Sequence, residues 1–475
     1  MKKSVPLFRQ IKISTGIILL SFLTGPLPAK NPERPSFIFI LTDDMGWSST
    51  SQAMDSLIPD SKSDYHETPS FERLAQKGMR FTSGYSPCAL CCPTRRSIQF
   101  GQTPMRQGDD EQFRKNYQPE NKQLLTIPRL LKSIDPAYRT AHYGKWDLRS
   151  GIFPEDMGYD ESDGNTGNKN GDLNSTKETK WTSVFLNNDP KRIETISARA
   201  INFIERNANS GNPFYLQISH YATHVDFQTT EELYRKYQQK KKGKIHSNPA
   251  WAGMMESLDS GIGRILDLMD DLKISGHTYL FLMSDNGGVE FIPPVRNKFD
   301  HPSVFPVPPR NHPLRGGKWT LYEGGIRVPF MVAGPGIKPG SQCNIPVAGW
   351  DLLPTFADLA GKPFLQKDDL DGISIRPLLE NGNQGTIRRK NDALVFHYFN
   401  NPHSAIRVGD YKLIKFWESD RTELYQLNGD PGELTNIATE NPGRVKVLET
   451  QLLNYMRAVN ADYLKSKIVN TREDE

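Results

Sequence analysis

An α/β architecture is what this sequence predicts: a large, mostly parallel sheet sandwiched by helices, with a smaller C-terminal α+β subdomain. Three observations carry that expectation. Short apolar runs dense in aromatic and β-branched residues, such as Ser36–Leu41 and Thr278–Met283, read as strands buried on both faces. Longer segments with helical apolar spacing lie between them. Near residue 385 the texture changes to closely spaced short strands and turns.

At 475 residues the chain is too long for one simple core, so a large domain plus a smaller one is expected. The boundaries read as 1–29 for a leader, 30–384 for the α/β domain and 385–475 for the C-terminal subdomain. In the leader, Lys2, Lys3, Arg9 and Lys12 precede the apolar run Ile17–Leu23, and Leu27-Pro28-Ala29 offers a cleavage site. The run is too short to span a membrane, so it reads as a secretory signal peptide. No cysteine follows it to take a lipid anchor. A secreted or periplasmic protein with no stable membrane insertion after cleavage is expected. The leader holds four of the 59 Lys/Arg and no acid, which leaves 55 residues of each sign and no net charge. Nothing in that balance asks for nucleic acid.

The first strand, Ser36–Leu41, ends in Asp43-Asp44, two adjacent carboxylates that are costly unless a cation or partner neutralises them. Thr68 caps a helix that Pro69 opens and Gly78 closes. A short strand Met79–Thr82 leads to a cysteine-rich loop, and another helix follows at Ile127–Ile134. The strand Tyr138–Tyr143 ends in Gly144-Lys145-Trp146-Asp147. Residues 163–172 have the composition of a calcium loop without the EF-hand order of glycine and acids, and read as a flexible loop. Asp189-Pro190 caps a helix with apolar positions Ile193, Ile196, Ala200, Phe203 and Ile204.

The strand Phe214–Ser219 ends in His220 and His224. A basic, polar stretch at Arg235–Lys244 reads as a solvated face. A long amphipathic helix runs from Met254 to Leu272, its methionines serving as core filler. The strand Thr278–Met283 ends in Asp285-Asn286-Gly287-Gly288. A Pro- and Arg-rich loop, Phe291–Arg315, brings Arg296, Arg310, His312 and Arg315 near Lys318. They read either as a solvated surface or as contacts for neighbouring anionic groups. Val328–Val332 is a further strand, and a helix starts at Trp350–Leu359. In the C-terminal region, Ala393–Phe399, Ala405–Val408, Tyr411–Trp417 and Glu423–Leu427 read as antiparallel strands, with a closing helix near Val445–Val459.

The stretch Ser86–Gly101 holds three of the four cysteines, followed by Pro93, Thr94, Arg95 and Arg96. Pro93 suits the first turn of a helix, so Cys91 sits near a helix N-terminus and Arg95, where negative charge is favoured. This reads as a reactive residue in an anion-binding pocket. No second CxxC or His pair completes a zinc site. Cys343 stands alone in its region, as a buried free thiol. Strand ends bearing Asp43 and Asp44, Lys145 and Asp147, His224, and Asp285 and Asn286 converge on one edge if the sheet is parallel. Asp43, Asp44, Asp285 and Asn286 form an all-oxygen set suited to Ca²⁺ or Mg²⁺. The lysines and histidine around it suit a tetrahedral anion.

The spacing Cys91-x-Pro93-Thr94-Arg95, with Gly101 behind it, resembles the signature of the type I, formylglycine-dependent sulfatases of the alkaline phosphatase-like superfamily. The blocks Phe39–Trp47, Gly144–Trp146, Ser284–Gly288, Gly317-Lys318, Asp351–Thr355 and Leu424–Glu433 resemble that family in order, across residues 33–440. The resemblance implies an exported hydrolase of sulfate esters of carbohydrates. It implies that a maturation enzyme oxidises Cys91 to formylglycine (3-oxoalanine), whose hydrate attacks sulfur. It further implies Ca²⁺, with Mg²⁺ the second choice, held by Asp43, Asp44, Asp285, Asn286 and the residue made from Cys91. Arg95 would hold the hydrate, Lys145 and Lys318 the sulfate oxygens, and His224 would serve the leaving group. The family has Gly-Lys-Trp-His where this chain has Asp147, so either Asp147 acts as the base or His142 or His220 fills that space. A phosphodiesterase or phosphonate monoester hydrolase on the same scaffold, a non-catalytic binder of sulfated glycans, and a structural surface protein, which would leave the four charged strand ends unexplained, are the rival readings.

Overall fold

The computed structural model describes Met1 and residues 34–118, 124–171, 184–289, 309–363 and 369–461. The signal peptide expected at 2–29, Arg296 and the first part of the Pro/Arg loop lie outside the described residues. So does the chain beyond 461.

Eight strands form the main sheet. Their spatial order is Ser341–Cys343, Met79–Phe81, Phe330–Ala333, Thr278–Ser284, Ser36–Thr42, Phe214–Ser219, Arg139–Gly144 and Glu161–Ser162. Every pairing is parallel except those of Phe330–Ala333, which runs against both neighbours. The strand expected at Val328–Val332 is therefore the single reversed one. It reaches the sheet directly from the Lys318 loop, without a crossover helix.

Ser36–Thr42 lies at the centre and is buried throughout. Its side chains alternate between two cores, as a period of two requires. Phe37, Phe39 and Leu41 face one core with Ile98, Leu131, Leu353 and Phe356. Ile38 and Ile40 face the other with Phe71, Phe203, Met254 and Ile262. The helices Cys91–Phe100, Ile127–Ile134 and Leu352–Leu359 cover the first face. Pro69–Lys77, Ile193–Asn209 and Pro249–Asp271 cover the second.

Local details differ from the sequence reading where tertiary partners intervene. Thr68 makes no cap bond to its helix. Its hydroxyl accepts the Ser51 N–H at 2.7 Å, and Asp259 on the long helix caps instead, accepting from Ser70 at 3.1 Å and Phe71 at 2.9 Å. The loop starting at Asp163 is tied down: Asp163 accepts the Gly144 N–H at 2.8 Å and Thr166 the Trp146 N–H at 3.0 Å. Asp189 does cap its helix, accepting from Glu194 at 2.7 Å. Cys343 is a buried free thiol.

The strands Ala393–Tyr398, His403–Val408, Tyr411–Phe416 and Arg421–Gln426 form an antiparallel sheet of consecutive hairpins. The helix Pro442–Ala458 covers one face through Leu448, Leu452 and Met456. The other face packs Phe396, Ile414 and Tyr425 against Tyr85, Leu321 and Trp350 of the α/β region. Lys412 at that junction is fully buried, 2.9 Å from Glu323 Oε1 and 3.0 Å from Glu433 Oε1. Removing the shared cation strands two carboxylates away from water. Lys412→Met should therefore cost about 3–5 kcal/mol of stability in denaturant titration, against about 1 kcal/mol or less if the pair were solvated.

Candidate active site

Four adjacent strands set the site. Arg139–Gly144, Phe214–Ser219, Ser36–Thr42 and Thr278–Ser284 run in parallel, so the residues after each emerge at one edge. Backbone bonds continue the ladder past the strand ends: Lys145 N–H to Ser219 O at 2.7 Å, Asp43 N–H to Ala222 O at 2.8 Å, and Asp285 N–H to Thr42 O at 3.0 Å. Asp44 turns into the left-handed region (φ 57°), which brings its N–H to Asp285 Oδ1 at 3.1 Å.

All the charges converge in a fully buried cluster. Lys145 Nζ donates to Asp43 Oδ2 at 2.6 Å. Lys318 Nζ donates to both Asp44 oxygens, at 2.6 and 2.8 Å, and stands 3.7 Å from Cys91 Sγ. Arg95 Nε and Nη2 donate to Asp285 Oδ2 at 2.9 and 2.7 Å. Asn286 Nδ2 donates to Asp44 Oδ1 at 2.7 Å. His224 Nε2 lies 3.8 Å from Asp44 Oδ2, its Nδ1 held against Val225 O.

Each group responds to that crowd. Burial pushes Asp44 up, but Lys318, His224 and Lys145 overcome it and hold the carboxyl well below the usual range. Burial and the neighbouring Asp43 push Asp285 up to about 7, against Arg95 and Lys145. Burial also raises the Cys91 thiol, despite Lys145 and Lys318, so the unmodified side chain is no ready thiolate.

Cys91 is the first residue of the helix Cys91–Phe100. Its neighbours face elsewhere: Cys88 Sγ lies 3.2 Å from His397 O and Cys92 Sγ 3.5 Å from Leu148 O. Among the described residues, Asp43, Cys91 and Asp285 bring one ligand atom each within 4.8 Å of one another. Asp43 Oδ1 and Asn286 Oδ1 are buried there without a hydrogen-bond partner among the described residues. Unsatisfied buried oxygens beside carboxylates are the donor set a hard cation takes.

Asp147 belongs to the same cluster. Its Oδ2 lies 3.6 Å from Lys145 Nζ and its Oδ1 accepts from Arg149 Nε at 3.1 Å. Burial opposes its charge, but Lys145 and Arg149 keep it ionised below the usual carboxylate value. His142 is engaged instead with Ser219 Oγ at 3.0 Å and packs edge-on against Trp146. His220 is buried with both ring nitrogens unpartnered among the described residues. Neither histidine makes a described hydrogen bond to the cluster, so Asp147 is the group beside Lys145.

The sulfatase family model matches residues 35–362. This chain belongs to the sulfatase family. A second model, the C-terminal region of N-sulphoglucosamine sulphohydrolase, matches residues 317–462. A sulfatase of Formosa agariphila is 27% identical over 94% of this chain and 94% of its own length. The N-acetylgalactosamine-6-sulfatase of Canis lupus familiaris is 28% identical over 86% of this chain and 77% of its own. The crystal structure of Ps i-CgsB superposes with a TM-score of 0.70 at 23% identity, covering 90% of this chain and 93% of that one, which shows a common fold. The protein is a sulfuric ester hydrolase.

Two supports of the sulfatase site escaped sequence reasoning. Arg310, placed by the sequence in a surface loop, is fully buried beneath it. Its Nη1 donates to Thr223 O at 3.2 Å and reaches Asp44 O at 3.5 Å, with the guanidinium 4.7 Å from the Trp251 ring. Arg315 is exposed, and lies on Tyr425 OH at 2.9 Å with its guanidinium over the Tyr322 ring. Their Pro/Arg-rich context carried no signal for either role. The second support is Thr223, whose hydroxyl donates to Asp43 O at 3.3 Å or Asp44 O at 3.2 Å and so ties the His224 loop to the aspartates.

Gly287 lets the Asp285-Asn286 loop touch the Lys318 loop, with its N–H on Gly325 O at 2.9 Å. A Cβ at Gly287 would meet Gly324 O at 1.8 Å. Gly287→Ala must part the two loops, and a shift near 1 Å costs about 10²-fold in rate. We expect that loss in kcat/KM for an aryl sulfate with the circular dichroism spectrum unchanged. Full activity would mean the contact does not position Asn286 and Lys318.

Proposed function

We propose that this sulfatase is exported and desulfates carbohydrates, using a formylglycine made from Cys91 by a maturation enzyme and a bound Ca²⁺. The observation that carries the reading is the single buried cluster in which Cys91 meets Asp43 and Asp285 within 4.8 Å, with Lys318 3.7 Å from its sulfur. Asp43, Asp44, Asp285, Asn286 and residue 91 would hold the cation, with Mg²⁺ the second choice. When present, the formylglycine supplies the nucleophile and the cation the charge that activates it.

The chain's own side chains do the rest. Lys145 and Lys318 present ammonium groups from opposite loops to the sulfuryl oxygens, where negative charge grows as the ester bond breaks. Arg95 Nε and Nη2 converge on Asp285 Oδ2 while Oδ1 accepts the Asp44 N–H, which fixes the carboxylate in the cluster. His224 turns Nε2 toward the cluster and serves the departing alcohol. Asp147 stands in the base's place beside Lys145. Substrate class is supported by galactosamine sulfatase relatives, and export by the basic and apolar composition of residues 1–29. Among the described residues no helix is long and apolar enough to cross a membrane.

Cys91→Ala should abolish turnover in a screen of sulfated sugars and aryl sulfates, and the tryptic peptide of matured wild type should carry an aldehyde at position 91. An unmodified thiol in fully active enzyme would sink the reading, and a preference for aryl phosphate diesters would move the protein to the rival hydrolase class. For the cation, adding Ca²⁺ to chelator-treated protein at a hundred times its dissociation constant should add about 2.7 kcal/mol of stability. Asp43→Asn should lose that increment in a thermal melt, and an identical increment in the variant would remove Asp43 from the ligand set.

A further inference from the structure

The basic stretch Arg235–Lys244 divides into two sets of side chains. Three are already paired. Arg235 meets Glu231, Lys236 reaches Glu67 at 2.6 Å and Glu256 at 2.8 Å, and Lys240 reaches Glu67 at 2.6 Å. Lys241, Lys242 and Lys244 are exposed, as is Lys62 on the adjoining loop. None of these four ammonium groups has a hydrogen bond or ion pair with a described residue. The turn that displays them is built around one carboxylate. Asp64 accepts the N–H groups of Lys244, Ile245 and His246 at 2.5, 3.0 and 2.9 Å and stands 3.2 Å from His246 Nδ1. A Cβ at Gly243 would meet Asp64 Oδ1 at 2.2 Å, so glycine lets the turn close. The acid nearest the lysines is thus occupied by backbone donors, and Asp60 is set against His312 at 3.7 Å.

The topology puts this turn on the edge of the sheet that carries the buried cluster. The helix Pro249–Asp271 follows the turn and returns the chain to the start of Thr278–Ser284, which runs parallel to Ser36–Thr42. Its first turn therefore lies at the carboxyl edge. Trp251 in that turn has the Arg310 guanidinium 4.7 Å from its ring, and Arg310 reaches Asp44 O. We infer that Lys62, Lys241, Lys242 and Lys244 form a docking surface for a sulfated polysaccharide, holding sulfates that are not the ones hydrolysed. The inference rests on the sulfatase reading above and adds that the substrate is met as a polymer. Ammonium groups are point charges that accept sulfates in many positions, unlike the fixed fork of a guanidinium. A stiff patch of them raises the local concentration of a polyanion at the catalytic edge. Among the described residues no exposed large hydrophobic side chain lies between 231 and 246, so nothing there enters a lipid layer or stacks on a base. Leu57, the nearest to Lys62 in sequence, sits on a loop that bonds to Gln342 through the Ser56 N–H at 2.9 Å.

Affinity electrophoresis of the full chain carrying Cys91→Ala tests the surface without ester cleavage. Residues 30–475 carry no net charge, so retardation by a polyanion reports a local patch. Dextran sulfate should retard the protein, less so as salt is added, and uncharged dextran should not. Lys241→Glu, Lys242→Glu and Lys244→Glu together should weaken that binding at least about tenfold, whereas Lys241→Arg, Lys242→Arg and Lys244→Arg should keep it. In matured enzyme the triple Glu variant should hold kcat/KM for 4-methylumbelliferyl sulfate within about twofold of wild type, because the lysines act on the polymer and not on the scissile group. Undiminished retardation of the triple Glu variant would overturn the surface. So would a tenfold loss on the aryl ester, or tighter binding to phosphatidylglycerol vesicles or single-stranded DNA than to dextran sulfate. Polymer binding by a wild type inert to sulfate esters would instead overturn the sulfatase reading, and with it the glycan as partner.

Discussion

Everything at the carboxyl edge of the sheet depends on charge balance inside protein. Asp43, Asp44 and Asp285 are fully buried within one small volume. Isolated there, each would cost several kcal/mol. Lys145, Lys318 and Arg95 answer them one for one, at 2.6 to 2.9 Å. The balance is incomplete: burial and Asp43 still push Asp285 up to about 7, and two oxygens, on Asp43 and Asn286, accept no hydrogen bond. Oxygens of that kind are of the type a hard cation can take. Lys318 also stands 3.7 Å from Cys91 Sγ, so the acids and the cysteine share one electrostatic frame.

That frame is held by parts outside the charge pairs themselves. Adjacent parallel strands deliver the acids and Lys145 to one edge, and the reversed strand Phe330–Ala333 returns the chain from the Lys318 loop. Loop carbonyls are then stapled from below: Arg310 takes those of Thr223 and Asp44, and the Thr223 hydroxyl takes one from the aspartate pair. Gly287 allows backbone-to-backbone contact with the Lys318 loop. Small displacements here change distances between full charges in a poorly screened interior, where energy varies steeply with separation. The C-terminal sheet closes the arrangement. It packs Phe396 and Tyr425 against the α/β region, and buries Lys412 between Glu323 and Glu433 just beyond the Lys318 loop.

Much of this was legible one residue at a time. The alternation of Phe37, Ile38, Phe39, Ile40 and Leu41 demanded a strand with two buried faces, since neither set of side chains can face water, and the two cores divide them accordingly. Cys91 followed by Pro93 marked a helix start, because proline suits a first turn. Acids and amides at strand ends marked the edge, because parallel strands end together. Errors fell where the deciding partner is remote in sequence. Thr68 lost its capping role to Asp259, 189 residues from Ser70, and the described part of the loop, 163–171, gained order from the strand end at Gly144.

By itself, then, the chain determined its strands, its reactive turn and the identity of its charged groups, because periodicity, proline geometry and side-chain chemistry are local properties. Only the tertiary structure decided which charge neutralises which, that Arg310 lies under the site rather than on the surface, and that Asp147 rather than His142 or His220 stands beside Lys145. Those outcomes depend on distances between segments as much as 274 residues apart, as for Lys318 and Asp44. Coulomb energy and burial are functions of those distances, and no local pattern encodes them.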